Sequence, residues 1–388
     1  MNRLTIYLLA LGVFFTGTAE LVVGGILPVI ADDLEISIAL AGQLITTFSL
    51  AFAIGTPILV TLTSRMERKK VLVSSLVIFI LGCFVSFASS NFSILMVARI
   101  ILGISAGLFN VVALSSAVKL VSANKMGSAI GVIALGFGSA MALGVPIGIA
   151  IASWWSWQGV YAVLGVLSLL VMLGLIRLLP QIEGDAPVPF KQQFTVLRSP
   201  TIVSGFFASF FLCMSNSIML TYLTPFFETI LHLNTSGVGL MMLVLGVVGV
   251  IGSRLGGSGV DAWGTVRMIS LSFLVSFGAL AFLPMFTAIL PIGLVLLTIW
   301  MMFIFMAAPG INSYFIQQAP QSSNFILGLN TSIIHLGMAI GAGLGGILVN
   351  SASTVLYHPW AASGTIALGL AAAIVSFSIR KRNYSETA

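Results

Sequence analysis

Two charged side chains lie within apolar stretches of the sequence, and both could take part in proton chemistry. Glu20 is the one charged residue between Leu4 and Ile30, and Arg99 opens the segment RIILGISAG. A charge at the centre of a bilayer costs roughly 2.5 to 17 kcal/mol, so this carboxyl group needs a partner or a proton. Desolvation favours its neutral form, whereas a nearby guanidinium favours the carboxylate. A group balanced between these effects can bind and release a proton. The alternative is a structural Glu20 that never titrates.

The elements that must position these two groups are membrane-spanning helices. Of 388 residues, 59% are hydrophobic and only 7% are charged, against about 25% charged in soluble domains. Twelve apolar runs approach or exceed the roughly 20 residues that a helix needs to cross a bilayer, and the alternation of β-barrel strands is absent. We therefore predict an all-α integral membrane protein with twelve transmembrane helices. The runs occupy residues 5–30, 38–63, 70–88, 93–118, 127–151, 158–179, 201–226, 236–254, 266–286, 290–316, 325–349 and 359–379.

The distribution of basic residues predicts the orientation of these spans. With the N-terminus in the cytoplasm, 15 of the 16 Lys and Arg residues fall on the cytoplasmic side, Lys125 and Lys191 among them, as the positive-inside rule requires. Both termini are then cytoplasmic, and the net charge of +6 reflects membrane topology rather than nucleic-acid binding. Trp154, Trp155 and Trp157 fall on the outer side, where we expect an interfacial aromatic belt.

The two halves of the chain are related by an offset of 197 residues. The segment 141–148, MALGVPIG, falls on 338–345, MAIGAGLG, and Lys70 falls on Arg267. Since six spans are an even number, the repeats are parallel, which predicts a substrate site near the midplane between the halves. The predicted domains are an N-terminal six-helix bundle over 1–180, a cytoplasmic linker over 181–199 and a C-terminal six-helix bundle over 200–388.

At these residues the chain resembles the major facilitator superfamily over its whole length, in the twelve-span drug:proton antiporter branch. GTAELVVGGILP, residues 17–28, and AGQLITTFSLAFAIGTP, residues 41–57, look most like the arabinose, sugar and purine efflux permeases. The resemblance implies export of a small organic molecule by proton antiport and alternating access, without cofactor or metal. It also implies a role in proton transfer for Arg99, for which a purely structural role is the alternative. We expect a monomer in the cell membrane.

The loop after the second span resembles the family pattern Gly-x-Leu-Ala-Asp-Arg-x-Gly-Arg-Arg. Here it is VTLTSRMERK, residues 60–69, so the basic residues remain while Val60, Ser64 and Glu67 replace Gly, Asp and Gly. The resemblance implies an inner gate closed by ion pairs, and the alternative is a basic cluster that only sets topology. The gate residues are then Arg65, Arg68 and Asp261.

The fifth span carries Gly136 and Gly138, followed by Gly144, Pro146 and Gly148, and it resembles the antiporter signature of the family. Proline removes a helix hydrogen bond and bends the helix. We expect the glycines to let this span approach the opposite half closely, so that it serves gating as a hinge.

A largely apolar central cavity with a few polar groups is expected between the halves. Each polar candidate has an alternative role as a hydrogen bond between helices, and each apolar candidate can instead face lipid. The candidates are Phe15, Gln43, Phe109, Asn110, Asn216, Tyr222, Phe305, Asn312, Asn330 and His335. We expect His335 to be the only histidine within a span and to stay neutral. Amides and a tyrosine beside aromatic faces suit a planar heterocycle, and they also suit an amphiphilic drug.

The predicted function is secondary active export of a small organic molecule, such as a purine base, a nucleoside or an amphiphilic drug, by proton antiport. A proton-independent facilitator and an exporter of sugars are the alternatives among transporters. The sequence has no HExxH motif, no pair of intramembrane aspartates and no serine–histidine constellation to indicate an intramembrane enzyme. A receptor usually needs a soluble signalling part, and no segment is long enough to form one.

Overall fold

The computed structural model describes residues 3–122, 126–184, 197–319 and 323–387. Within these ranges the chain consists of helices and short connections, and no strand is present. Twelve helical segments are long and apolar enough to cross a membrane, with mean hydropathies from 1.6 to 2.5. The predicted all-α fold with twelve spans is therefore confirmed. Lys125, Lys191 and most of the predicted linker lie outside the described residues.

Polar residues at the membrane surface start several of the helices. Ser37, Asn91 and Ser156 each accept a hydrogen bond from the backbone N–H three residues further on, which satisfies a donor that a helix start otherwise leaves without a partner. The helices are α1 Arg3–Gly25, α2 Leu27–Asp33, α3 Ile38–Leu62, α4 Arg68–Phe87, α5 Phe92–Lys119, α6 Met126–Ser139, α7 Val145–Trp154, α8 Trp157–Leu178, α9 Pro200–Thr221, α10 Leu223–Thr229, α11 Thr235–Trp263, α12 Thr265–Phe282, α13 Leu290–Gln318, α14 Ser323–Ala352 and α15 His358–Thr387.

The helix starts repeat with the offset found in the sequence. Helices α11 and α12 begin 197 residues after α3 and α4. The breaks at Ile26 and Tyr222 also correspond, because Pro28 and Pro225 stand in the first turns of α2 and α10. Proline fits the first turn of a helix but cannot donate to the preceding turn. One local rule thus ends α1 and α9 within one residue of equivalent positions, as the repeat predicts.

The helices form two compact units. The N-terminal unit comprises Met1–Pro187 together with Thr235–Gly246, the first part of α11, and the C-terminal unit comprises Val188–Asn234 and Val247–Ala388. In the N-terminal unit, α5 packs against α3 and α4, α4 packs against α8, and α1 packs against α6. In the C-terminal unit, α9 packs against α14 and α15, and α12 packs against α13 and α15. The boundaries of the two predicted bundles stay a prediction.

The fifth span consists of α6, a π-helical turn over Ala140–Gly144, and α7. Pro146 occupies the second position of α7, where its missing N–H disturbs the regular ladder and favours such a turn. A Cβ added at Gly144 would overlap Thr18, and one added at Gly148 would overlap Val22. Gly144 and Gly148 themselves therefore pack against α1. Because glycine has no side chain, α1 can pack closely against the fifth span at these two positions. The fifth span also meets a helix from the second half of the sequence, because Gly246 of α11 packs closely on the backbone of Met141 and Ala142.

The tight packing of Gly144 gives a stability prediction. We expect Gly144→Ala to destabilise the protein by about 1–3 kcal/mol, because the new methyl group overlaps Thr18 in a packed interior. A Cβ added at Gly131 in α6 would meet open space; Gly131→Ala is therefore the control, and it should stabilise the helix by up to about 1 kcal/mol. Thermal unfolding of the detergent-purified variants measures both. Equal effects at the two positions would contradict close packing of this span on α1.

The three tryptophans near residue 155 differ in burial. Trp154 and Trp155 are exposed, as the predicted aromatic belt requires, whereas Trp157 is 1% exposed. The indole Nε1 of Trp157 donates to Asp33 Oδ2 at 2.7 Å. Its assignment to the belt is therefore wrong, because Trp157 starts α8 and points its ring into the bundle.

Candidate functional site

The guanidinium of Arg99 lies in the interior of the N-terminal unit and joins three helices. Arg99 projects from α5 and is 0% exposed. Its Nη1 donates to the carbonyl of Ala19 in α1 at 2.7 Å, and its Nε donates to the carbonyl of Leu44 in α3 at 3.1 Å. The Phe48 ring lies 4.4 Å from the guanidinium carbon, a distance at which the ring face attracts a cation. The buried guanidinium therefore takes backbone carbonyls of α1 and α3 as acceptors.

Glu20 follows directly on one of these acceptors. Its side chain is 5% exposed, and it lies close enough to Arg99 for an electrostatic interaction between the two groups. The hydrogen bond from Arg99 to Ala19 fixes the cation beside the backbone that carries Glu20. The two charged groups singled out in the sequence are therefore neighbours in the fold. An acid and a base in one buried cluster can stabilise the charged forms of each other.

Tyr161 completes this cluster, although the sequence alone did not point to it. Its side chain in α8 is fully buried, and its hydroxyl lies beside the Arg99 guanidinium. Among the described residues, neither Arg99 Nη2 nor the Tyr161 hydroxyl has a hydrogen-bond partner, so the interaction between the two groups is electrostatic. Trp157, one turn earlier, packs edge-on against the Tyr161 ring with centroids 6.3 Å apart. The spacing of four residues between two large aromatic residues at a helix start is the signal that could have found it.

The position of the Tyr161 hydroxyl gives a second stability prediction. Tyr161→Phe removes the polar neighbour of Arg99 Nη2 and leaves the ring in place. Because the hydroxyl interacts with the buried cation electrostatically and without a hydrogen bond, we expect unfolding stability to fall by only about 0.5–1.5 kcal/mol. Tyr357→Phe is the control, since Tyr357 is largely exposed. Thermal unfolding in detergent compares them, and an unchanged Tyr161→Phe protein would show that the hydroxyl does not hold the guanidinium.

The four cavity candidates of the N-terminal unit lie at different depths. The Thr16 hydroxyl donates a hydrogen bond to Asn110 Oδ1 at 2.8 Å, which joins α1 to α5. Phe109 is fully buried, and its ring fills the space above Gly12. Phe15 is buried beside Phe14, and Gln43 is half-buried. Their contact with a substrate stays a prediction.

Tyr222 and His358 tie three helices together in the C-terminal unit. The Tyr222 hydroxyl donates to the carbonyl of Ala342 at 3.0 Å, and its ring lies 4.9 Å from the His358 ring. Both His358 nitrogens lie near carbonyl oxygens, Nε2 at 3.0 Å from Gly345 and Nδ1 at 3.1 Å from Val355. His358 is fully buried and opens the twelfth membrane span. The expectation that His335 is the only histidine within a span is therefore wrong, because this span begins one residue before the apolar run.

The other polar candidates of the C-terminal unit differ in burial. Asn330 is buried, and neither its Oδ1 nor that of Asn216 has a hydrogen-bond partner among the described residues. His335 is buried too, and its Nδ1 lies 2.9 Å from the carbonyl of Thr331 in its own helix. Phe305 is half-buried and Asn312 is exposed. Amide oxygens held in an apolar interior are acceptors that a substrate donor can satisfy.

The predicted gate residues lie at one end of the helices in each unit. Arg68 is buried, and its backbone N–H donates to the carbonyl of Ile182 at 2.8 Å. Lys119 Nζ donates to the carbonyl of Glu183 at 3.1 Å, so the chain after α8 is fixed to the loop before α4 and to the end of α5. Arg65 and Asp261 are exposed. The ion pairs of a gate stay a prediction.

Comparison with known proteins adds family evidence to this geometry. The profile of the Major Facilitator Superfamily matches residues 9–342. An uncharacterized MFS-type transporter of Bacillus subtilis (strain 168), YbcL, is 33% identical over 377 residues, which cover 97% of this chain and 96% of that protein. The crystal structure of a D-xylose-proton symporter matches with a TM-score of 0.80 over 97% of both chains, at 16% identity. At that identity the structural match shows the fold alone.

The twelve apolar helices, the family profile and the full-length relative agree with one another. The chain therefore belongs to the major facilitator superfamily and is a multi-pass membrane transporter rather than an enzyme.

Proposed function

We propose that the protein exports a small organic molecule from the cell by proton antiport, as a monomer in the cell membrane with both termini in the cytoplasm. The observation that carries this proposal is the buried cluster in which Glu20 lies beside Arg99. No other carboxylate lies within the predicted spans. In a transporter driven by protons, a membrane-embedded carboxyl group is the natural carrier of the proton.

The proposed cycle follows from the cost of burying charge. When the protein opens outward, Glu20 meets the more acidic side and takes up a proton. The neutral carboxyl group can be enclosed at lower cost than the carboxylate. When the protein opens inward, the cationic Arg99 favours the carboxylate and hence proton release. Substrate that binds in competition with the proton is then carried in the opposite direction.

The substrate class that these residues favour is a neutral or weakly polar molecule with hydrogen-bond donors and a flat face. Asn216 and Asn330 each carry a buried side-chain oxygen with no partner among the described residues, which suits the N–H groups of a purine base or nucleoside. Phe15 and Phe305 supply aromatic surface for stacking. An amphiphilic drug that has both a hydrogen-bond donor and a flat face also belongs to the proposed substrate class. A sugar is the second candidate, favoured by the fold shared with a D-xylose-proton symporter.

Reconstituted proteoliposomes test direction and coupling together. The vesicles are first selected for protein whose cytoplasmic side faces outward, so that export moves substrate into the lumen. Antiport then requires that vesicles with an acidic lumen accumulate substrate as protons leave. Accumulation driven by protons moving in the same direction as substrate would indicate symport. Equal substrate movement with and without a pH gradient would indicate the alternative, a facilitator in which Glu20 is structural. A thermal-shift screen with purines, nucleosides, sugars and cationic drugs first identifies a ligand for this assay.

We place the proposed gate at Arg65, Arg68 and Asp261, with Gly144, Pro146 and Gly148 as the hinge. The π-helical turn next to Pro146 supports a hinge, since such turns interrupt the regular hydrogen-bond ladder. The burial of Arg68 and its contact with Ile182 support a role for this loop beyond topology. Cytoplasmic labelling of single cysteines in Asp261→Asn tests the gate, because loss of the ion pairs should increase labelling.

A further inference from the structure

A groove in the C-terminal unit combines basic, polar and apolar walls. The groove has a volume of about 920 Å³. Its walls are the junction of α11 and α12, the end of α13 and the last part of α15. Arg267 and Arg380 contribute two guanidinium groups, while Ile374 and Phe377 contribute apolar surface. None of the described residues that line it is acidic. The groove therefore attracts an anion that also carries an apolar portion.

The ends of the membrane spans place this groove at the level of the lipid headgroups. One span begins at Thr265 and two others end at Gln318 and Arg380. Trp263, the last residue of a further span, is exposed, as is typical of aromatic residues at the membrane interface. Along α15, Ile374 precedes Arg380 by six residues, or about 9 Å at 1.5 Å per residue. The apolar wall thus extends toward the hydrocarbon core and the guanidinium groups lie at its border.

The two arginines are held differently. The Arg380 guanidinium lies 5.5 Å from the centre of the Tyr314 ring, and the Tyr314 hydroxyl shares a 2.8 Å hydrogen bond with Ser376, which orders this wall. Arg267, in the first turn of α12, is exposed and forms no ion pair with any described residue. A cation in the first turn of a helix is unfavourable because the helix dipole is positive there. An anion bound at this position would reverse that disadvantage.

The repeat provides an internal comparison. The equivalent end of the N-terminal unit has a groove of about 610 Å³ lined by Lys69, Lys70 and Glu67. There the carboxylate of Glu67 lies 3.3 Å from Lys70 Nζ. At the position equivalent to Glu67 the second half has Gly264, with no side chain to supply a carboxylate. One groove therefore contains its own anion, whereas the equivalent position of the other groove supplies no carboxylate.

We propose that the groove lined by Arg267 and Arg380 binds an anionic phospholipid of the surrounding membrane. The phosphate lies between the two guanidinium groups, which present planar donors suited to it. An acyl chain lies along Ile374 and Phe377. The groove is lined by the ends of predicted membrane spans, so we assign its occupant to the components of the membrane. This site is independent of the substrate and of the direction of transport.

Native mass spectrometry and thermal unfolding of the delipidated full-length protein test the site. We expect phosphatidylglycerol to bind and stabilise the wild type, and phosphatidylcholine to do so at least tenfold more weakly. Arg267→Gln/Arg380→Gln should weaken phosphatidylglycerol binding by roughly 30-fold, since each basic residue near an anionic membrane surface contributes about a factor of five. The control Lys69→Gln/Lys70→Gln removes two charges from the other groove and should change binding by less than about threefold.

Other results would overturn the proposal. Equal losses in both double variants would indicate attraction to overall charge and no built site. Undiminished phosphatidylglycerol binding in Arg267→Gln/Arg380→Gln would exclude this groove. Stabilisation by inorganic phosphate as strong as that by the lipid would identify a soluble anion as the ligand. Since Arg380 packs on Tyr314, the exposed single variant Arg267→Gln provides a second test, with an expected loss of about fivefold.

Discussion

In proteoliposomes that contain Glu20→Gln, a pH gradient should no longer drive substrate accumulation. Glutamine has the shape and polarity of the protonated acid but cannot release a proton, so the proposed cycle stops in the protonated form. A gradient of two pH units stores about 2.7 kcal/mol per proton, which allows roughly 100-fold accumulation by a carrier that couples one proton to one substrate. The variant should reach no accumulation above equilibrium. Substrate binding and exchange without a gradient should survive, because neither requires release of the proton.

The controls for this experiment lie close by in the chain. Asp32→Asn removes an acid that is exposed at the end of α2, and it should leave gradient-driven accumulation unchanged. Thermal unfolding checks that both variants are folded. If Glu20→Gln accumulates substrate to the wild-type level, another group carries the proton, and buried His335 and His358 are the next to replace. Loss of exchange as well as accumulation would assign Glu20 to substrate binding or structure instead of coupling.

Local chemistry made the helices and their register predictable. Long apolar runs specify membrane helices in any context, because a backbone in lipid must satisfy its hydrogen bonds within the helix. The repeat was also visible in the sequence, because each half carries similar local residues at equivalent positions. Pro28 and Pro225, for example, break the helices of the two halves at corresponding places. The predicted start of the twelfth span was one residue late, because His358 is polar and was left out of the apolar run. It is buried only because the carbonyls of Gly345 and Val355 surround it.

The contacts between helices were less predictable than the helices themselves. Glu20 and Arg99 could be singled out because charge is rare in apolar runs, and their solitude suggested each as the partner of the other. Tyr161 was missed because its four-residue spacing from Trp157 is compatible with a buried aromatic pair and also with an interfacial aromatic belt. The contact of Gly144 and Gly148 with α1 was not predicted, for a related reason. A glycine in the sequence indicates a close contact but not the residue that makes it. The packing of α1 against α6 and α7 in the structure identifies that residue.

Replacement of Arg99 by methionine should produce the largest loss of stability in the protein. Methionine keeps much of the volume but removes the donors to Ala19 and Leu44 and the cation beside Glu20. Breaking a buried charge pair by removing one partner costs about 3–5 kcal/mol, because the other charge is left in the interior. We expect a drop of this size in unfolding stability. Gradient-driven transport should be lost as well, since Glu20 then lacks the group that favours proton release.

A double-variant cycle separates the coupling from the packing. If the carboxylate of Glu20 is what makes the loss of Arg99 costly, Glu20→Gln/Arg99→Met should be more stable than Arg99→Met alone by at least about 1 kcal/mol. Arg99→Lys is the matched control for charge, because it keeps the cation but cannot bond both carbonyls in the same planar geometry. It should therefore regain part of the stability. Additive losses in the double variant would show that Arg99 is held only by Ala19, Leu44 and the Phe48 ring. In that case the cation would not tune the acid, and the proposed route of proton release would fail.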